Sequence, residues 1–584
     1  MVTADDIERA YREGDYGRCL KLAKEIIEDP RAQCVLGMLY ANGHGVKQDY
    51  VEAAKWFRKS AEQGDATAQN KLGWLYENGY GVAYDYAEAA KWYSKSAEQG
   101  DAEAQCNIGS MYRGGWGVSR DYIEAVKWFR KSAEQGNADG QFKLGVMYNN
   151  GMGVDQNSVM AATWIRKSAM QGFATAQHYL GDMYQHGTGV TRDSEMGVRW
   201  YIKAAEQGHA LSQYKLGAMY FNGESVQQDY AKALIYFKEL ADQGRAKGEY
   251  YLGIMYQYGY GIEEDILEAA KWYKKAASQG YKEAQMKLAS MYNNGLGVKR
   301  NYAEAVLWLY KAADRGYAPA QYCLGNRYYN GYIVCQDYVE ALIWFRKAAE
   351  QGDSFGQNRL GEMYEKGIGV EQDYSEALKW YRKSAEQGNA DAQKALADMF
   401  YDGVGVTQDY KEAVNWYRKS AEQGNASAQY FLGRMYETGK GAPLDYAEAV
   451  KWYQKSAEQG NTTGQFNLGI MYQYGLGVSK DYIEAVKWYR KSAEQGDSFG
   501  QNRLGEMYEN GFGLEQDYIM AVECYRKSAE QDNSWGQYNL GKMYEKGQGV
   551  PQDYSVAAKW YRKSAEQGNE DAVEALKRLG EWGE

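Results

Sequence analysis

The sequence predicts an all-α fold, a solenoid of helical hairpins with a period of 36 residues, and three observations carry that prediction. Leucine recurs at every multiple of 36 from Leu36 to Leu576, with Ile108 as the one substitution, so no insertion or deletion breaks the register. Within each period, two apolar patterns of helical spacing are separated by glycines, the signature of a helix pair. A lone hairpin buries too little apolar surface to offset the entropy of ordering its backbone, so neighbouring hairpins must stack. The chain grew by duplication, since Asp353–Glu365 recurs residue for residue at Asp497–Glu509.

The elements follow in order. Residues 4–29 read as a helix pair around the compact link Glu13-Gly14-Asp15-Tyr16, with Pro30 where a turn glycine stands elsewhere. The predicted organisation is an N-terminal capping pair (1–29), fifteen tandem repeats (30–569) and a charged closing helix (570–584). In the first repeat, Ala32, Leu36, Gly37, Leu39 and Tyr40 form one helical face, and the Gly43 position, Gly in all fifteen repeats, ends the helix in the left-handed conformation. A Gly-x-Gly-Val loop leads to Asp49, whose position is Asp in thirteen repeats and Asn in two, both strong N-cap residues. Glu52, three places on, predicts a capping box. The second helix buries Tyr50, Ala53, Ala54, Phe57, Ser60 and Ala61, carries Trp56 at the edge, and exposes Glu52, Lys55, Arg58, Lys59 and Glu62 at ion-pairing spacing. Gly64, matched in fourteen of fifteen repeats and replaced by Asp532 in the other, closes it.

Composition excludes several classes. The 584 residues include 67 Gly, 56 Tyr and 17 Trp but only 4 Pro, too aromatic for disorder and without the three-residue glycine period of collagen. No apolar run approaches the roughly 18 residues that cross a bilayer, so no membrane insertion is expected. Basic residues are dispersed and the formal charge is −10, which argues against nucleic acid as a partner. The N-terminus is acidic and amphipathic rather than signal-like, so a cytoplasmic location is expected, with non-classical secretion as the other route. Cysteines 19, 34, 106, 323, 335 and 524 have neither disulfide-framework nor metal-ligand spacing and read as free buried thiols.

At Ala428–Gly460 the chain reads Ala-Gln-x-x-Leu-Gly-x-Met-Tyr-x-x-Gly-x-Gly, then Asp-Tyr-x-x-Ala-x-x-Trp-Tyr-x-Lys-Ser-Ala-Glu-Gln-Gly, with small departures. This pattern resembles the Sel1-like repeat, a relative of the tetratricopeptide repeat with a longer inter-helix loop, over essentially residues 30–584. The resemblance implies a right-handed α/α superhelix whose first helices line a concave groove. It also implies an adaptor role, since such proteins hold others together in signalling, in quality control at the endoplasmic reticulum, or in bacterial contacts with host cells. The cysteine-rich branch of that family carries paired cysteines in its repeats, and this chain lacks them.

Candidate chemistry is sparse. The Gly-x-Gly loops follow helices and recur thirteen times, which fits a structural turn and not a dinucleotide fingerprint. His44, His178, His186 and His209 read as surface histidines, although His178 and His186 share a helical face where a metal or pH-sensing site can be imagined. The Trp column from Trp56 to Trp560 reads as inter-helix packing. No nucleophile–base constellation stands out, so no enzyme, cofactor or metal is expected.

Fold requirements repeat identically whereas a ligand need not, so positions that vary between repeats are the informative ones. On the first helices they form one stripe, which gives the candidate partner-binding residues Phe142, His178, Tyr214, Phe221, Tyr250, Gln257, Tyr322, Asn326, Tyr329, Tyr430, Arg434 and Phe466. Such a mixture of aromatic and amide groups suits an extended peptide or a partner helix. The second-helix Tyr is lost at Ser158, Ser194 and Ile266, and Gly197 and Ser225 are further departures, so the repeats between Asp155 and Tyr258 are expected to form a specialised docking region. The function expected is a non-catalytic scaffold binding proteins or peptides, with the oligomeric state open and a monomer compatible. The alternative is a secreted or surface-exposed host-interaction factor binding a host protein or glycan.

Overall fold

A computed structural model describes residues 2–580, so residues 581–584 of the expected closing segment lie outside the described residues. Among the described residues the chain forms 33 helices and no strand. Helices Ala4–Arg12 and Tyr16–Glu25 come first, pairs of helices of 13 residues each follow from Pro30 to Glu566, and Glu570–Arg578 is last. The helices group into two compact units. One runs to Ala284 and takes in Gly295–Lys299; the other comprises Gln285–Asn294 and the chain from Arg300 onward. The same repeat plan holds within each.

Local sequence explains each hairpin. Pro30–Asn42 ends at Gly43 (φ 71°, ψ 28°), whose N–H bonds the Leu39 carbonyl. Tyr50–Glu62 starts under Asp49, whose Oδ1 accepts from the Val51 and Glu52 amides at 2.9 and 3.0 Å. The expected capping box does not form, because Glu52 turns outward to Lys55 at 2.7 Å; the box occurs instead at Thr3 and Asp6 of the first helix. The second loop glycine is where successive repeats abut: Gly81 has φ +68°, and a Cβ there would collide with the Tyr50 carbonyl of the preceding repeat.

The interior is a column of aromatic rings. Tyr93 is fully buried and lies over Gly73, where a Cβ would stand 2.8 Å from the ring. A polar ladder runs beside it. Buried Gln69 donates from Nε2 to the Ala61 carbonyl of the preceding repeat at 3.0 Å and accepts from Gln99 Nε2 at 2.8 Å, and the pair recurs at Gln429 with Gln459 and Gln465 with Gln495. Ser96 Oγ donates to the Ala66 carbonyl at 2.7 Å. These bonds satisfy groups whose burial would otherwise be costly, and they tie helices to one another in register.

Trp92 packs in a core cluster with Phe57 and Leu72, in keeping with a packing role for its column. Each of the thirteen Trp residues of that column also carries a Lys ammonium three residues on, 3.8 to 4.9 Å from its ring centre. All six cysteines are free, but Cys335 is exposed and Cys323 half-buried, so not all are core thiols.

Candidate protein-binding surface

The variable stripe on the first helices divides into residues fixed by the core and residues that reach the surface. Gln257 belongs to the first group, since its Oε1 accepts from the buried Tyr273 hydroxyl at 2.7 Å. Glu365, Glu437 and Glu509 take the same bond from Tyr381, Tyr453 and Tyr525. Where the core ring is Phe, with no hydroxyl to satisfy, the residue sixteen places earlier is neither a carboxylate nor an amide: it is Ala41, Arg113, Phe221 or Tyr329, and Phe221 meets Phe237 and Tyr329 meets Phe345 with ring centres 6.4 Å apart. Variation at this position therefore follows the core partner.

His178 is buried, not a surface group. It does not meet His186, which is exposed and bonds the Asp182 carbonyl through Nδ1 at 2.8 Å. Its neighbour is His209, ring centres 5.0 Å apart, with Ser212 Oγ between their Nδ1 atoms at 2.9 and 3.1 Å. Asp182 lies 3.4 Å from His178 Nε2 and accepts from the Tyr201 hydroxyl at 2.5 Å. The Ser212 amide also points at His209 Nδ1, 3.4 Å away, so both the amide and the hydroxyl of Ser212 face that nitrogen. Burial holds both imidazoles below their ordinary range, with His209 and Lys215 pushing His178 the same way and Asp182 opposing. This brings together a Ser, a His and an Asp, but Ser212 is fully buried and no substrate reaches its oxygen. Among the described residues no group of three or more His, Cys, Asp or Glu side chains is arranged to hold a metal ion.

The remaining candidates are half-buried at the surface, with Arg434 exposed. Phe142 packs against Phe173 and Tyr179, ring centres 5.7 and 5.2 Å away. Lys247 Nζ stands 3.7 Å over the ring of Tyr214, and Tyr250 meets Tyr281 at 5.0 Å. Asn326 bonds the Tyr322 carbonyl, Tyr322 meets Phe355 at 5.6 Å, and Tyr430 lies 5.9 Å from Tyr453. Phe466 lines a cavity of about 380 Å³ with Phe499, Trp535 and the Arg503–Glu506 ion pair. The stripe thus touches a second column that the sequence pattern alone did not single out: Leu211, Phe355, Phe499 and Trp535 are 61, 56, 55 and 49% exposed. Beside it runs the residue preceding each first helix. This residue is Asp or Asn in every repeat except where Phe173, His209, Arg245, Tyr281 and Tyr317 stand, and that interruption was the available signal.

The family model described as Sel1 repeat matches fifteen successive segments, from residues 30–65 to 536–569. The chain belongs to the Sel1 repeat family. Among solved structures, this Sel1 repeat protein is similar to a protective antigen present in uropathogenic Escherichia coli strains displaying an SLR fold. That likeness has 33% identity and a TM-score of 0.55, over 84% of this chain and 97% of that one. A Sel1 repeat protein from Oxalobacter formigenes is 32% identical over 53% of this chain and 89% of its own, with a TM-score of 0.41. A comparison with curated proteins gives no match. Sel1 repeat proteins generally mediate protein–protein interaction, and in this one no helix among the described residues is long and apolar enough to cross a membrane.

Proposed function

We propose that this Sel1 repeat protein is a non-catalytic scaffold that holds partner proteins or peptides along the face of its first helices. The observation that carries this reading is the pair of adjoining columns on that face. Phe355, Phe499 and Trp535 are about half exposed beside Tyr322 and Phe466, and solvent-facing aromatic rings repeated in register are characteristic of binding surfaces. The second helices present instead short-range ion pairs such as Glu88–Lys91 and Glu124–Lys127, interleaved with exposed aliphatic side chains such as Ile123 and Ile483. The test is capture of proteins from cells that make the chain. A variant with Phe466, Phe499 and Trp535 replaced by Ser, and another with Phe142, Tyr322 and Tyr430 replaced by Ser, are expected to lose bound proteins while keeping their helical circular dichroism. A captured set identical for both variants and the wild type would sink the proposal.

A further inference from the structure

Outside one run, the residue before each first helix is Asp or Asn and its side chain accepts from a first-turn amide, as Asp65 does from Ala68 at 2.7 Å. Phe173, Arg245 and Tyr317 make no such bond, whereas the His209 imidazole takes the carboxyl's place and accepts from the Ser212 amide at 3.4 Å. Three first helices within this run therefore forgo a side-chain cap, and departures of this kind concentrate where function opposes stability.

In the first compact unit the departure also gathers positive charge. Lys71 meets Glu103 of the next repeat at 3.0 Å. Four repeats later the corresponding residues are Lys215 and Lys247, the one like-charge pair in that column, with Arg245 two residues before Lys247 in the cap position. Among the described residues neither Arg245 nor Lys247 forms an ion pair, both are exposed, and Lys215 reaches only Asp182, at 3.9 Å. Residues 209–223 and 245–259 hold these three cations and a single carboxyl, Glu249, which is buried. The chain as a whole carries −10.

Resting on the scaffold reading, and specifying its partner, we propose that Lys215, Arg245 and Lys247, together with Tyr214 and Tyr250, dock an acidic segment of a partner protein. Aspartate or glutamate side chains supply the carboxylates that the repeat pattern removed. The Arg245 guanidinium offers a two-pronged donor, and Lys247 is already held over the Tyr214 ring, so little ordering is needed on binding. Tyr250 with Tyr281 gives an apolar wall for the segment's hydrophobic residues. The acidic remainder of the surface repels such a segment elsewhere, which confines it to this patch.

Fluorescence anisotropy on the full chain tests the assignment, using a short labelled Glu-rich peptide, the same peptide with Gln for Glu, and a single-stranded oligonucleotide. The Glu-rich peptide is expected to bind about tenfold more tightly than its Gln counterpart and to weaken with salt. That preference should vanish in the double variant Arg245→Asn, Lys247→Glu. Because the variant restores a cap and a complementary pair, its thermal midpoint should not fall, and lost binding then cannot be ascribed to misfolding. Equal affinity for the two peptides, binding of neither, binding unchanged in the variant, or tighter binding of the oligonucleotide would each overturn the proposal. If these peptides fail while protein capture through the aromatic columns persists, the scaffold reading stands and this site alone falls.

Discussion

Ile333 occupies a loop position that is Gly in thirteen repeats, and it keeps the left-handed backbone, with φ 72°. A β-branched residue is strained there. Ile333→Gly is therefore expected to stabilise the protein by about 1 kcal/mol, after allowing for the greater freedom of the unfolded glycine. Thermal denaturation checks this, and an unchanged or lower midpoint would contradict it. Ser225 holds the same conformation (φ 62°), but its hydroxyl donates to Gln185 Oε1 at 3.1 Å, so part of its strain is offset. Glu249 is a different local conflict. It stands in the buried glutamine ladder and accepts from Gln279 at 2.7 Å, but its carboxylate lacks the amide hydrogen that Gln69 gives to Ala61. Burial raises its pKa above the ordinary carboxylate range. Folding is therefore unpenalised below the unfolded value of about 4.3 and loses stability as pH rises from there through the folded value. Glu249→Gln should gain about 1 kcal/mol at pH 7 and nothing near pH 4. Denaturation at both pH values decides, since an equal gain at each would remove the protonation argument.

At the scale of paired helices, the hydroxyl of the core ring and the acceptor sixteen residues earlier vary together. Tyr93, Tyr381, Tyr453 and Tyr561 face Glu77, Glu365, Glu437 and Glu545, whereas Phe57, Phe129 and Phe237 are preceded at that spacing by Ala41, Arg113 and Phe221. Tyr201 and Tyr417 have no acid there and turn to Asp182 and Asp398. Removing the hydroxyl alone, in Tyr453→Phe, leaves Glu437 without its donor and should cost about 1 to 2 kcal/mol. Adding Glu437→Ala should recover part of the loss, and strictly additive effects in the cycle of single and double variants would show that the two do not couple. The hairpins themselves were legible because leucine, glycine and Asp49-type caps repeat in one register. The Gln257-type positions were misleading because a residue that varies for the sake of its core partner looks, in sequence, like one that varies for a ligand. The glutamine ladder was invisible for a related reason: its partners lie 30 residues apart, and buried amides have no apolar signature. Arg245 escaped notice because a cap residue precedes the helical period, and Lys247, although three residues before Tyr250 and on the same face, stands in a column whose residue type changes from repeat to repeat and so gives no periodic signal.

For the whole chain, the bonds that join repeats are made between neighbours, so the register of 36 residues matters more than the number of repeats. Excising 426–461 places Asn425 before Thr462, where Asn461 stood, and should leave the mean helical signal per residue unchanged. Excising 426–455 instead sets the loop glycines and ladder glutamines out of phase and should give a less helical, more easily denatured chain; circular dichroism of the two deletions separates the outcomes, and equal behaviour would mean that register is not what the fold requires. The duplicated segment brings a further property. Phe355 with the Arg359–Glu362 pair, and Phe499 with the Arg503–Glu506 pair, present the same solvent-facing chemistry twice within the second compact unit. The position beyond them is Asp391 in one copy and Trp535 in the other. An antibody that reads only the shared helix will therefore saturate at two molecules per chain, while one whose epitope includes the indole will saturate at one, so stoichiometry alone reports how far a recognised surface extends across the repeat boundary.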